Sequence, residues 1–409
     1  ISLNEIVMFI FIAGVILRLS FVTSASVFDY QHDVFDQRGH FDYILNIVNN
    51  FELPSSNKMQ YYHPPLHYFI SALVLRPFVM FGVTDEKILG NILQYLTAFY
   101  SVFIMMVALK ILDRLKLNVL PKLAAFAIIA FHPTFFILAG SINNDCLCIL
   151  FMFLSVYFAI RWYENPYRKR TTALLALCFG LAVMSKISAA LLCVPIGFVF
   201  LYKFFTVEKD TYRKERIKRI LTMFGLFLLI ALPLSLWYPV RNYILFDQSL
   251  LYIPRLSEDS WLYCGDISLF NRLNPLNLNL STPFCDVGND YNLADYTLKC
   301  SLFGEWDITS FTTVAYILLC VNLLLTVISL ACMIYILISR KYKMLRPINI
   351  FFAVLWLTQI ISFVITNINY PFGCTMDFRY IVLTILCGAV FIAQTLQRVN
   401  NKWLSLVRT

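Results

Sequence analysis

The sequence predicts an all-α integral membrane protein, a single domain of residues 1–409 with about ten transmembrane helices. Hydrophobic residues make up 59% of the chain and charged residues 14%, and the mean hydropathy is +0.71. A soluble domain cannot cover so much apolar surface. Ten apolar runs are long enough to cross about 30 Å of hydrocarbon. They are residues 6–26, 89–112, 121–140, 144–162, 171–185, 187–206, 219–240, 310–339, 347–367 and 378–397.

The distribution of basic residues predicts the orientation, because Lys and Arg accumulate in short cytoplasmic connections. With a cytoplasmic N-terminus, 22 of the 33 basic residues fall on the inner side, in segments 110–122, 161–170, 203–219, 340–346 and the tail from Arg398. Both termini are then cytoplasmic, in a bacterial cytoplasmic membrane or the endoplasmic reticulum. Because topology explains the net charge of +9, no nucleic-acid partner is predicted.

Two outer segments stand out, residues 27–88 and residues 243–309 before the eighth crossing. In the first, the amphipathic stretch 37–51 is predicted to lie flat on the membrane. The apolar stretch 64–83 is placed in the outer interface, because a crossing there would invert the rest of the chain. The segment 243–309 is rich in Asn, Asp, Tyr and Pro and predicts an irregular lid.

The outer segments also carry sites of covalent chemistry. Asn279-Leu280-Ser281 is a glycosylation sequon in a secretory-pathway host. An oxidising compartment would permit disulfides among the outer cysteines, but the sequence does not fix their pairing. These cysteines are Cys264, Cys285, Cys300 and Cys374.

Titratable residues crowd the stretch "FDYQHDVFDQRGHFDYI". Asp33 and Asp36 stand three residues apart, flanked by His32 and His40. Paired carboxylates beside imidazoles suit proton abstraction from an acceptor hydroxyl, because one group tunes the proton affinity of another. The alternative is an ordinary solvated loop, since charge just outside a membrane helix needs no special role.

A second motif, "YYHPPLHYF", contains His63 and His67 around two prolines that favour a helix start. His63 is predicted to face the same cavity as Asp33. The alternatives are a stiff helix start with interfacial histidines, or a metal site. The metal would be held by His32, His40, His63 and His67 with a carboxylate.

Three basic residues, Lys186, Arg241 and Arg379, stand at predicted outer helix ends. Each alone is explained by snorkelling. Together they are suited to gripping a phosphate, most naturally that of a lipid at the outer interface. Asp145 in "SINNDCL" also lies at an outer turn, where the simpler interpretation is that it or Asn144 caps the next helix.

The ordered set of motifs resembles the GT-C membrane glycosyltransferases of the protein O-mannosyltransferase and aminoarabinose-transferase type. These motifs are "QHDVFDQRGHFDYI", "YYHPPLHYFISA", "INNDCLCILF", "MSKISAALL", "RNYILF", "SLFGEW" and "DFRYI". The resemblance implies a GT-C fold with juxtamembrane helices in the first outer loop. It also implies an inverting transfer of sugar from dolichyl- or undecaprenyl-phosphate to a saccharide, lipid or protein acceptor.

By this resemblance, Asp33 falls at the position of the catalytic carboxylate, with Asp36 and His32 beside it. Lys186, Arg241 and Arg379 fall where basic residues meet the lipid phosphate. His40, His63, His67 and Asp145 complete the predicted substrate site. His32-Asp33 replaces the Asp-Glu pair of the mannosyltransferases, so both sugar and acceptor stay open.

Two other functions remain open. One is a flippase or transporter for lipid-linked sugars, which the crowding of charges at one interface disfavours. The other is a ligase that moves a whole glycan from a pyrophosphate carrier. No cofactor is predicted, and a requirement for a divalent cation stays open.

Overall fold

Long apolar helices that run back and forth between two ends make up the structure. It is a computed structural model and describes residues 3–25, 27–28, 34–56, 59–286, 288–339 and 346–406. The described residues form fifteen α-helices. They are α1 (Leu3–Ser24), α2 (Val34–Asn50), α3 (Leu66–Met80), α4 (Glu86–Arg114), α5 (Val119–Phe131), α6 (Thr134–Gly140), α7 (Asp145–Glu164), α8 (Lys169–Ser185), α9 (Cys193–Phe205), α10 (Arg213–Phe246), α11 (Leu269–Leu273), α12 (Leu293–Phe303), α13 (Thr312–Ile338), α14 (Arg346–Asn369) and α15 (Leu383–Leu406).

Short 3₁₀ turns complete the described helical structure. They are Met59–Tyr62, Ile187–Leu192, Thr309–Phe311, Gly373–Met376 and Phe378–Ile381. Tyr263 and Phe372 form an isolated antiparallel bridge. The prediction of an all-α membrane protein is confirmed.

Seven helices in the described part are long and apolar enough to cross a membrane, or nine if each of two bent pairs counts as one span. One pair, α5 and α6, bends by 41° where the residue before Pro133 is extended, as residues before proline tend to be. The other bends by 45° where the turn Gly373–Ile381 meets α15. Each of the ten predicted crossings falls on a helix, but 171–185 falls on α8, which has only 17 residues. The number of ten therefore stays a prediction.

The two ends of the bundle are defined by contacts between helices. At the end that we call the site end, Gln94 of α4 donates to the carbonyls of Ala25 and Gly140, both at 2.9 Å. At the opposite end, Arg114 of α4 contacts Glu164 of α7 at 3.1 Å. The connections that gather at this opposite end are the basic segments 110–122, 161–170 and 203–219.

The apolar face of α2 is buried against protein, so lipid does not cover it, while the orientation of α2 parallel to the membrane stays a prediction. Its buried side chains pack with α3 and α4 in a separate apolar cluster around Tyr68 and Leu93. Phe51 is exposed, in a left-handed conformation, and lies 3.9 Å from the guanidinium of Arg76. The helical spacing of apolar residues correctly predicts a helix here, but this spacing does not indicate whether lipid or protein covers the apolar face. The buried apolar side chains described on α2 are those of Phe41, Tyr43, Ile44, Ile47 and Val48.

The segment 243–309 is irregular only in part. Helix α12 lies within it and begins at Asn292, whose side chain accepts from the backbone N–H groups of Ala294 and Asp295 at 3.1 and 3.0 Å. Asparagine is a favoured residue at helix N-caps. The helix was missed because it is buried almost all round and shows no single apolar face. Among its buried side chains is Lys299, which pairs with Asp295 at 2.7 Å.

A buried arginine joins α1 to its neighbours. The Arg18 guanidinium donates to the Ser101 hydroxyl of α4 at 2.8 Å and to the carbonyl of Ala130 in α5 at 3.0 Å. Ser101 in turn donates to the carbonyl of Phe135 in α6 at 2.9 Å. Arg18 is fully buried. These bonds connect α1 to the elements that lead into the site end.

Candidate active site

Two carboxylates and two cations meet at the site end and form what we call the ionic cluster (Asp145, Lys186, Asp377 and Arg379). Lys186 Nζ lies 2.5 Å from Asp145 Oδ1, and Arg379 Nε lies 4.0 Å from Asp145 Oδ2 and 3.3 Å from Asp377 Oδ2. The exposed fraction of each of the four side chains is 11% or less. Buried charges are tolerated when paired in this way. The structure thus brings together three residues that the sequence predicted for the site, Asp145, Lys186 and Arg379.

The turn before α7 sets the position of Asp145. Asn143 accepts from the Asp145 backbone N–H through its side-chain oxygen at 3.1 Å. The side-chain amide of Asn144 donates to the carbonyl of Ser185 at 2.7 Å. Because Ser185 directly precedes Lys186, this bond fixes the end of α8 against the start of α7. Asn144, which directly precedes α7, does not cap that helix by a side-chain hydrogen bond.

The turn before α15 sets the position of Arg379. Asp377 accepts from the backbone N–H of Arg379 at 2.8 Å and so caps the 3₁₀ turn Phe378–Ile381. The ring of Tyr380 lies 4.9 Å from Lys186 Nζ and 5.4 Å from the Arg379 guanidinium. Cations near an aromatic face are attracted to it. Asp377 and Tyr380 were not predicted as site residues, although both belong to the "DFRYI" motif.

The histidines of the first loop lie next to the ionic cluster. His40 and Asp145 are close enough for their charges to interact. His40 Nδ1 hydrogen-bonds the Tyr68 hydroxyl at 2.7 Å, and its ring stacks on that of His63 at 5.6 Å. His67 Nε2 donates to the carbonyl of Ile142 at 2.8 Å. Burial lowers the pKa of His67 to about 4, so this imidazole is neutral at neutral pH.

Arg241 makes contacts with residues outside the ionic cluster. Its guanidinium donates to the side chain of Asn242 at 2.9 Å and to the carbonyl of Leu53 at 3.3 Å, and it lies over the ring of Tyr238. Its role beside Lys186 and Arg379 stays a prediction. A cleft lies between residues 62–64, α10, residues 248–252 and the 3₁₀ turn after Lys186. It is lined by Tyr62, His63, Ile187, Tyr238, Asn242 and Gln248.

The predicted catalytic residues are not described in full. His32 and Asp33 lie outside the described residues, and Asp36 lies in the first turn of α2 with its side chain outside them. Their roles stay predictions. Among the residues that the structure describes, no group of three or more His, Cys, Asp or Glu could hold a metal ion. The proposed histidine metal site includes His32 and is therefore not tested.

The fold is known from solved structures. The chain aligns over 98% of its length with the oligosaccharyltransferase of Archaeoglobus fulgidus in its apo form, at 12% identity and a TM-score of 0.53. The chain has the GT-C fold. It spans 51% of the length of that oligosaccharyltransferase. The predicted fold class is thereby confirmed.

One family model and two further solved structures are also similar to this chain. The family model of dolichyl-phosphate-mannose-protein mannosyltransferase matches residues 90–249. The Saccharomyces cerevisiae protein O-mannosyltransferase Pmt1-Pmt2 complex bound to its sugar donor aligns with 65% of this chain and 36% of its own, at 14% identity and a TM-score of 0.46. Apo ArnT from Cupriavidus metallidurans aligns with 95% of this chain and 77% of its own, at 11% identity and a TM-score of 0.41. No curated protein sequence matches.

Proposed function

We propose that the protein is an inverting glycosyltransferase that moves a sugar from a polyprenyl-phosphate carrier to an acceptor on the non-cytoplasmic face of the membrane. The observation that supports this proposal is the ionic cluster, which holds two buried cations at one end of a GT-C bundle. The family match over residues 90–249 includes Asp145 and Lys186 and favours a monophosphate carrier such as dolichyl phosphate.

The cations of the cluster suit a departing phosphate. Lys186 is a point charge with three donors, one of which bonds Asp145, and Arg379 presents a planar fork. Asp145 and Asp377 fix both cations before a substrate arrives. Preorganised charges of this kind stabilise the charge that develops on a leaving group.

The reaction balances with one base. The acceptor hydroxyl oxygen attacks the anomeric carbon, the bond from that carbon to the phosphate oxygen breaks, and its electron pair leaves with the polyprenyl phosphate. The hydroxyl proton passes to a carboxylate, which we propose to be Asp33, with Asp36 and His32 tuning it. His40, His63 and His67 lie beside the cluster and are proposed to shape the sugar or acceptor site. Arg241 is proposed to contact the carrier.

A donor assay tests the proposal. Purified protein receives polyprenyl-monophosphate sugar and polyprenyl-pyrophosphate glycan in separate reactions, and the released carrier is measured. We expect release of free polyprenyl phosphate from the monophosphate donor alone. Release only from the pyrophosphate donor would instead support the ligase, and a protein that moves donor across vesicles without releasing carrier would support the transporter.

A matched pair of variants connects the activity to the cluster. Lys186→Met removes the cation beside Asp145, whereas Lys122→Met removes the cation of an ion pair with Asp113 at the opposite end. We expect carrier release to fall by about 10²-fold or more in the first variant, comparable to the loss of one preorganised donor. It should be unchanged in the second. Equal activity of the two variants would contradict the assigned role of Lys186.

A further inference from the structure

We propose that Cys285 and Cys300 form a disulfide bond that fastens the irregular stretch before α12 to α12 itself. Both residues are buried free thiols in the structure. The proposal depends on the proposed non-cytoplasmic placement of this segment, because disulfides persist in oxidising compartments.

The geometry brings the two sulfurs together. Cys285 Sγ lies 3.4 Å from the carbonyl oxygen of Tyr296, which stands one helical turn before Cys300 in α12. Helical side chains lean toward the N-terminus of their helix, so the Cys300 side chain covers that same turn. The two thiols lie close enough to influence each other's pKa.

The surroundings hold both side chains in place. They belong to one apolar cluster with Leu293, Tyr296 and Phe363. The contact with Cys285 and burial raise the pKa of Cys300, and burial raises the pKa of Cys285, which disfavours the reactive thiolate in the folded protein. We therefore infer that the bond forms while the segment is still open, before α12 packs.

The bond-forming step balances with an oxidant of a stated class. Two S–H bonds are lost and one S–S bond is formed. The two electrons and the two protons pass to the disulfide of a thiol–disulfide oxidant of the compartment, which becomes a dithiol. Cys300 also donates to Asp377 Oδ1 at 3.3 Å, a bond that oxidation removes. Asp377 keeps the backbone N–H of Arg379 at 2.8 Å, so the ionic cluster remains anchored.

Mass spectrometry of the full-length protein tests the pairing. Membranes that contain the protein are dissolved in a denaturing detergent without reductant, and N-ethylmaleimide is added to alkylate the free thiols. The protein is then digested with a protease. We expect a cross-linked peptide pair that contains Cys285 and Cys300, carries no maleimide on either sulfur, and separates on reduction. Alkylation of both residues without reductant, or linkage of either to another cysteine, overturns the proposal.

Variants serve as controls. Cys285→Ser should leave Cys300 open to alkylation, whereas Cys264→Ser, in the same segment, should leave the linked pair intact. Loss of the pair in the Cys264→Ser variant would indicate a different pairing and overturn the proposal. The experiment measures the mass of the linked peptides and does not depend on the rate of sugar transfer. A protein that transfers sugar with both thiols alkylated refutes the disulfide alone, and a linked protein without transfer refutes the enzyme alone.

Discussion

The Asp145 carboxylate is held by charged groups that come from two distant parts of the chain. Lys186 follows α8 and Arg379 precedes α15, and both reach Asp145 at the start of α7. Removing one partner of a buried pair leaves an uncompensated charge, whereas removing both is often tolerated. The same residues can therefore serve stability and substrate binding, and experiments have to separate the two.

A double-mutant cycle separates stability from activity. Lys186→Met should lower the free energy of unfolding by about 3 kcal/mol, the lower end of the cost of breaking a buried pair. Adding Asp145→Asn should recover part of that loss, because the unpaired charge is gone. Carrier release should stay low in the double variant, because the phosphate still lacks Lys186. Thermal unfolding in detergent and the donor assay measure the two quantities, and recovery of both together would contradict a direct role of Lys186.

His67 should make the protein sensitive to acid. Its pKa is about 4 in the folded protein against 6.5 for an exposed histidine. The unfolded chain therefore binds this proton first, so stability is complete above pH 6.5 and falls as the pH drops toward 4. The loss should total about 3 kcal/mol. His67→Gln keeps a donor for the Ile142 carbonyl but cannot titrate in this range, so its unfolding temperature should fall less between pH 7 and pH 4. Parallel pH profiles of the two proteins would refute this assignment.

At the scale of residues, the sequence predicts which groups lie at one end of the bundle but not which of them touch. Asp145, Lys186 and Arg379 each stand at the end of an apolar run, and that alone brings them to the same level in the membrane. Arg241 stands at the same level, yet it contacts Leu53 and Asn242 instead. Its lateral position depends on how α10 packs against its neighbours, which helix ends do not reveal.

At the scale of elements, Arg18 connects α1 to three other helices, by hydrogen bonds and by contact with the rings of Phe135 and Phe136 in α6. Ser101 of α4 and Ala130 of α5 accept from it directly, and Ser101 extends the connection to α6. Hydrogen bonds from a charged donor are stronger than neutral ones. The α1 helix is otherwise largely exposed along its length, with 17% of its most apolar window buried. Arg18 is thus a principal attachment of α1.

Replacing this arginine should loosen α1. Arg18→Met leaves the carbonyl of Ala130 without its donor and should lower the free energy of unfolding by about 1–3 kcal/mol. Leu17→Met changes a neighbouring exposed side chain of the same helix and should have little effect. Thermal unfolding in detergent measures both variants. An Arg18→Met protein as stable as the Leu17→Met protein would show that the attachment lies elsewhere.

The sequence predicts a helix most clearly where lipid or apolar protein surrounds it on every side. Such a helix consists of a long run of apolar residues, which is easy to recognise. The helical spacing of apolar residues predicts helix α2. It does not predict that protein covers the apolar face, because a face with Phe41 and Ile44 is equally suited to contact lipid. Helix α12 was missed because it buries Asp295 and Lys299 as a pair, which looks like loop composition.

At the scale of the whole molecule, the two ends differ in charge. The connections 110–122, 161–170 and 203–219 at the end opposite the site carry 15 of the 33 basic residues, and the site end holds His40, His63 and His67 with the ionic cluster. The positive-inside rule then predicts that the site end faces away from the cytoplasm.

Labelling in intact cells tests this orientation. Glu258 and Lys209 are exposed residues on the site end and the opposite end. A membrane-impermeant maleimide should label Glu258→Cys in intact cells and label Lys209→Cys only after the membrane is permeabilised, each compared with the parent chain. The reverse pattern would place the site in the cytoplasm and remove the basis for both the proposed donor side and the proposed disulfide.

The attachment of Arg18 also has a consequence for biosynthesis. Its partners Ser101 and Ala130 follow it by 83 and 112 residues, so they do not yet exist when the ribosome first delivers the α1 helix to the translocation machinery. A lone guanidinium is costly at the centre of a bilayer. The nascent α1 must therefore keep that group near the headgroups or inside the insertion channel, and it can settle at its final depth only after α4 and α5 have been made.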